Sequence, residues 1–173
     1  PSLVRELLQG PKTGSELGQI LNLSQSSFSR LFLSSAKTEN VRAFGKKKGV
    51  VYAAPRKVAG IGPAFPLFRV DEDGKCLPFG DLTAVESRGF ILEPLSGSPI
   101  VFSGVPFFLS DARPQGYLGR AFGHRHADLG FPKRLQDWSE DQIFASLALR
   151  GEHIPGHFIV GNESFDRYQR ERN

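Results

Sequence analysis

Three groups of side chains in this sequence have types and spacings that could do recognition or chemistry. The first is Gln25, Ser26, Ser29 and Arg30, within the run LSQSSFSRLFLSS from Leu23 to Ser35. At helical spacing Phe28, Leu31 and Phe32 fall at i, i+3 and i+4 and make one apolar face. The four polar residues lie opposite, and short or forked amide, hydroxyl and guanidinium groups are suited to reading base edges. The second group is Arg42, Lys46, Lys47 and Lys48, cations of the kind that hold backbone phosphates. The third is His124-x-His126-x-Asp128, which has the residue types of a metal site. Its pattern falls at an expected helix end, where basic groups gain from the helix dipole. No metal ligand is assigned there. His153 and His157 are separated by Pro155-Gly156, which rules out the i, i+4 helical pair of zinc proteases. Neither a phosphate-binding GxxxxGK[ST] run nor a G-x-S-x-G nucleophile elbow occurs, so no catalytic or cofactor-binding residue is assigned.

Local signals supply the elements that must position the first two groups. Ser24 can cap the helix that carries Gln25 to Arg30 by accepting a first-turn N–H. Upstream, TGSELGQILN reads as a shorter helix, with Thr13 and Glu16 as a capping box and Leu17, Ile20 and Leu21 as its apolar face. Ser2 to Gln9 reads as a first helix, stopped by Gly10-Pro11. Downstream, VRAFGKKKGVVYA reads as two short strands joined by Gly45-Lys46-Lys47-Lys48-Gly49. Helix, turn, helix and basic hairpin make residues 1–57 a winged helix-turn-helix, with double-stranded DNA as the expected partner. A plain packing module with a solvated lysine tip, or a winged helix used for protein contacts, is the alternative.

Charge supports the division. Residues 1–57 hold ten Lys/Arg and three acids, a formal +7, whereas the other 116 residues hold twelve bases and fifteen acids, a formal −3. A basic module beside a mildly acidic one is expected when only the first meets a polyanion. No apolar run approaches the roughly 18 residues that span a bilayer, and no signal-peptide pattern opens the chain. The single cysteine, Cys76, excludes an internal disulfide. The expected location is the cytoplasm, with no membrane partner.

Residues 58–66, rich in Pro, Gly and Ala, read as a linker, and residues 67–173 as a second, α+β part. There LFRV and CLPF flank the turn Asp71-Glu72-Asp73-Gly74, LTAVES and FILEPL flank Arg88-Gly89, and PIVF leads into GVPFFLSD. These segments read as a small, mainly antiparallel sheet with phenylalanines in its core. A helix is expected from Pro114 through Leu118 and Phe122 to about His124. Another follows Ser139, with Gln142 completing a capping box and Trp138 and Ile143 placed as a staple. GHFIVG reads as one more strand.

The run from Pro106 to Arg170 resembles the N-terminal region of HipA-like proteins, in the YjjJ (HipH) branch that carries a winged helix ahead of the HipA-like body. The carriers are D-x-R-P-Q-G-x-L-G-R at Asp111–Arg120 and the glycine-spaced segment Gly151–Gly161. The resemblance implies the N-terminal portion of a longer toxin-antitoxin protein. Its kinase-like C-terminal domain would hold ATP, a metal such as Mg²⁺ and the catalytic aspartate. None of those motifs occurs by residue 173, so no cofactor is expected in these residues. It also implies a small α/β subdomain that docks on and restrains a kinase-like body, either a C-terminal domain or a partner protein, with homodimerisation as a further use of the winged helix.

Overall fold

The computed structural model describes residues 2–47, 49–153 and 156–172, the side chains of Tyr117 and Leu118 excepted. Lys48, one of the expected phosphate contacts, therefore lies outside the described residues. The chain divides into two compact units. One contains Pro1–Lys57, Gly62–Ala64 and Asp81–Gly104; the other contains Val58–Ile61, Phe65–Gly80 and Val105–Asn173. The stretch 58–66, read from sequence as a linker, is shared between the two units, and Asp81–Gly104 groups with the first.

In the first unit, α1 (Leu3–Leu7) starts at Ser2, whose hydroxyl accepts from the Arg5 N–H. A two-residue strand β1 (Lys12–Thr13), unforeseen from sequence, leads directly into α2 (Gly14–Leu21). Helix α3 (Gln25–Thr38) follows, then β2 (Arg42–Phe44) and β3 (Val51–Ala53). The three strands form an antiparallel sheet in the order β1-β3-β2. Leu3, Leu7, Leu17, Phe28, Val41 and Ala54 make a buried core, with Leu21, Leu23, Phe32 and Tyr52 packed on it. Each such side chain contributes on the order of 1.5–3 kcal/mol when fully buried. A second cluster, Phe44, Ala53, Val85 and Ile91, includes residues of the hairpin that follows.

That hairpin joins the end of β5 (Cys76–Val85) to β6 (Gly89–Pro94). Ser87 and Arg88 both have positive φ, 49° and 61°, the conformation of a two-residue turn matched to strand twist. Gly89 therefore belongs to the strand rather than to the turn. A Cβ there would lie 2.8 Å from the Phe102 carbonyl oxygen, which fixes glycine at this position. Strand β7 (Ile100–Phe102) pairs antiparallel with β6, Leu92 opposite Ile100. The segments CLPF and LTAVES, read as separate strands, are one continuous strand running through Gly80.

In the second unit, β4 (Ala64–Val70) enters the acidic turn, where the Asp71 carboxylate accepts from the Lys75 N–H at 2.7 Å. Strand β8 (Phe158–Val160) pairs antiparallel with β4, Leu67 opposite Val160. In sheet order β6 lies between β7 and the end of β5 in the first unit, and β4 lies beside β8 in the second. The helices are α4 (Phe107–Ser110), α5 (Gly116–Arg125), α6 (Glu140–Arg150) and α7 (Asn162–Arg172). Two 3-10 turns, Ala127–Leu129 and Leu135–Asp137, lie between α5 and α6. Helix α6 begins with the expected Ser139–Gln142 capping box and buries every residue from Ile143 to Ala148. Phe144 meets Phe65 edge-on at 5.0 Å, and Phe165 stacks on Phe68 at 4.1 Å.

One segment differs from its sequence reading, and another, the C-terminal run, had no element assigned to it. GVPFFLSD looks strand-like because of its paired aromatics, yet Pro106 opens a single helical turn in which the Ser110 hydroxyl bonds to the Phe107 carbonyl. Phe107 is 72% exposed, so not every phenylalanine belongs to the core. The charged C-terminal run is helix α7, which has no broad apolar stripe and adds polar contacts to the Phe165–Phe68 stack. Its Tyr168 hydroxyl donates to the Gly74 carbonyl at 2.7 Å. Its buried Ser164 hydroxyl donates to the Leu147 carbonyl and accepts from the Gly151 N–H, both at 2.8 Å. Ser164→Ala leaves both groups at the end of α6 without that partner. Urea unfolding should show a loss of about 1–3 kcal/mol, and no change would mean that water replaces the hydroxyl at no cost.

Candidate nucleic-acid interface

The segment joining α2 to α3 is closed by its own backbone. Asn22 ends α2 in the left-handed region (φ 53°, ψ 49°), and the Leu23 N–H returns to the Gly18 carbonyl at 2.9 Å. Asparagine tolerates this conformation because its short polar side chain bonds locally. Ser24 then caps α3, its hydroxyl accepting from the Ser27 N–H at 3.3 Å. On the inward side of α3, Phe28 and Phe32 each meet the Tyr52 ring edge-on, at 5.0 and 4.7 Å. The outward side is set by that contact. Gln25, Ser26, Ser29 and Arg30 are all exposed there.

These four groups are not equally available. The Ser29 hydroxyl donates to the Gln25 carbonyl at 2.9 Å, and the Ser26 hydroxyl lies 3.1 Å from that of Ser24. The side chains of Gln25 and Arg30 have no hydrogen bond or ion pair with the described residues. Gln25 and Ser29 also line an open groove of about 670 Å³, whose other wall includes Ser15, Gln19 and Asn22. Gly14 and Gly18 keep that wall low; a Cβ on Gly14 would come within 3.3 Å of Tyr52. Sequence reading did not single out Ser15 and Gln19. Their signal was the paired i, i+4 spacing, Gly14 with Gly18 and Ser15 with Gln19, which places each pair along one line of the helix.

The hairpin loop carries Lys46 and Lys47, both exposed and without an ion pair among the described residues. Arg42 is placed differently. Its guanidinium donates to Glu93 at 2.7 Å and sits 4.5 Å from the centre of the Phe44 ring. The other Glu93 oxygen accepts from the Gly45 N–H at 3.1 Å. One carboxylate thus holds both a cation and the start of the basic loop.

His124, His126 and Asp128 do not converge as ligands. Asp128 accepts from Arg150 at 3.1 Å, and this guanidinium holds its carboxyl below the usual range. His126 lies against Phe122 at 4.5 Å, and partial burial, with Arg150 nearby, pushes its imidazole pKa down. Among the described residues, Glu152, His153 and Glu171 do converge, with ligand-type atoms within 4.8 Å of one another. There His153 Nε2 and Glu171 are 3.0 Å apart, and both residues are exposed. No helix among the described residues is long and apolar enough to cross a membrane.

An α+β chain with antiparallel sheets, an α2–turn–α3 segment and a helical second unit is the class that this fold defines. The chain belongs to the family of YjjJ-like toxins, matching its middle domain over residues 61–169. It is similar to Toxin YjjJ of Escherichia coli (strain K12), with 36% identity over 164 residues, 94% of this chain and 36% of that protein. The chain therefore spans little more than a third of the length of that curated relative. The family match begins beyond the basic hairpin, whereas the similarity to the relative extends over nearly the whole chain. No solved structure matches significantly.

Helix α2, which supplies the other wall of the groove, starts at Thr13. There Thr13 and Glu16 form the expected capping box: the Thr13 N–H and hydroxyl both donate to Glu16 at 2.7 Å. These bonds, with a smaller contribution from Lys12, hold the Glu16 carboxyl below its ordinary value of 4.5. A folded pKa that is depressed gives stability above the unfolded value, lost as pH falls through the folded one. The stability gap between the parent and Glu16→Gln should therefore be present at neutral pH and close on acidification below about pH 4.5. Thr13→Ala should cost about 1 kcal/mol. Thermal unfolding across a pH series reads both, and a gap independent of pH would remove the charge of Glu16 from the account.

Proposed function

We propose that residues 1–57 form a winged helix-turn-helix that binds double-stranded DNA. On this reading the chain is the DNA-binding, regulatory part of a cytoplasmic HipA-like toxin-antitoxin protein. The observation that carries the proposal is the pairing of two surfaces. Helix α3 turns Gln25, Ser26, Ser29 and Arg30 outward while its opposite face is fixed on Tyr52, and the adjacent strands lead into a loop with exposed Lys46 and Lys47. The element order and the sheet order β1-β3-β2 support the same reading. Gln25 and Arg30 would read base edges, the two serines would give shorter polar contacts, and the loop lysines would hold phosphates. The similarity to a protein named as a toxin supports placing this DNA-binding role within a toxin system. Catalysis, with ATP and Mg²⁺, would belong to a kinase-like domain outside these residues.

A second reading is favoured by a specific feature of α3. Leu31 and Leu33 are 37% and 64% exposed, apolar surface for which DNA has little use. A module that docks on and restrains a kinase-like body, or that forms a homodimer, would cover such groups.

Fluorescence-anisotropy titration with duplex DNA at several salt concentrations separates these readings. Lys46→Ala/Lys47→Ala/Lys48→Ala should weaken binding and lower the log–log salt slope by up to about 0.9 for each lost phosphate contact. Arg42→Ala should change the slope less than any single loop lysine, because Glu93 already holds its guanidinium. Absence of binding at low salt would defeat the DNA reading and favour a protein partner.

A further inference from the structure

The second unit contains a cleft of about 540 Å³ between the start of α5 and the 3-10 turn Leu135–Asp137. Arg113, Arg120, Lys133 and Arg134 line it, together with His124, and no carboxylate lines it among the described residues. Glu140 pairs with Arg113 at 3.6 Å, an exposed and weakly held contact, and Arg120 also has a contact of its own. Lys133 and Arg134, adjacent in sequence and exposed, bring like charges to one concave surface, and a bound anion relieves their repulsion.

The backbone adds to the same field. Gln115 stands at the N-cap of the ten-residue helix α5 without a side-chain capping bond, and both Gln115 and Gly116 line the cleft. The helix therefore presents an uncapped N-terminus, with its positive dipole end, beside the cations. Gly116 enters α5 with φ 59° and has open space where a Cβ would stand. Gly119 is close-packed: a Cβ would fall 2.9 Å from Leu135 and 3.0 Å from the Pro114 carbonyl carbon. The spacing R-P-Q-G-x-L-G-R at Arg113–Arg120 is thus what shapes one wall and places two arginines on it.

We propose that this cleft binds a small ligand carrying at least two phosphate groups, of nucleoside-diphosphate size. Arg113, Arg120, Lys133 and Arg134 hold the phosphates, the α5 N-terminus faces them, and Leu135 and Trp138 form the apolar side of the cleft. This site uses none of the residues assigned to DNA, so either proposal can fail without the other.

Trp138 is the only tryptophan of the chain and lines the cleft, so its fluorescence reports occupancy directly. The 173-residue chain would be titrated with inorganic pyrophosphate and with ADP, at fixed ionic strength, with calorimetry as the second readout. A saturable Trp138 response to either probe is expected. Lys133→Ala/Arg134→Ala should weaken it at least tenfold with the circular dichroism spectrum unchanged, while Lys46→Ala/Lys47→Ala should leave it intact. Lys133→Glu, a single exposed change, serves as the independent variant and should weaken binding by at least as much. No saturation by millimolar probe overturns the proposal, as does equal binding by the Lys133/Arg134 variant. Binding of a single-stranded oligonucleotide with none of either small probe also overturns it, and reassigns the cleft to a nucleic-acid strand.

Discussion

Tyr52 stands between Phe28 and Phe32, and the presentation of α3 depends on that contact. The helix has only a narrow apolar face: Phe28 is buried and Phe32 partly so, whereas Leu31 and Leu33 remain at the surface. With so little area to bury, helix orientation cannot rest on hydrophobic burial alone. Two edge-on ring contacts supply direction as well as energy, each adding about 0.5–1.5 kcal/mol beyond burial. Tyr52 also pairs with Lys12 of β1 and with Ala43 of β2. The same residue therefore ties the helix to all three strands, and the strands fix where the basic loop leaves the sheet. Gly14 completes the constraint, because a Cβ there would stand 3.3 Å from the Tyr52 ring, closer than usual contact.

Charge is organised with similar economy. A formal +7 within 57 residues would give a diffuse positive surface if every cation were equivalent. They are not. Glu93 takes Arg42 with one oxygen and the Gly45 N–H with the other, so the base of the loop is anchored while Lys46 and Lys47 project beyond it. A surface ion pair alone contributes about 0–1 kcal/mol. Here its consequence is positional: the carboxylate selects which cations remain available to an external anion.

Much of this was legible in local sequence, because caps and turns are short-range devices. Thr13 with Glu16, Ser24, and Ser139 with Gln142 all cap helices by bonds spanning three residues. The illegible parts depend on partners far along the chain. Arg42 looked like a free cation because Glu93 is 51 positions away. Helix α7 had no element assigned from sequence, because its anchors, the Gly74 and Leu147 carbonyls, lie elsewhere along the chain. Strand β1 has only two residues, too few for an alternating pattern, and exists through its pairing with β3. In the candidate interface, the polar face of α3 was readable from helical period, but the groove shared with Ser15 and Gln19 required the angle between two helices.

The stretch Asp111–Arg120 shows how a family marker and a physical account can be brought together. As a string it only signalled kinship, and it lies within the matched residues 61–169. In the fold its members separate into two kinds. Pro114, Gly116 and Gly119 are explained by backbone shape: a positive φ where α5 begins, and a tight approach of Gly119 to Leu135 and Pro114. Arg113 pairs with Glu140 and Arg120 has a contact of its own, and both also line the cleft that the glycines help to form. The glycines account for the form of this segment, and the arginines give that form a chemical sign.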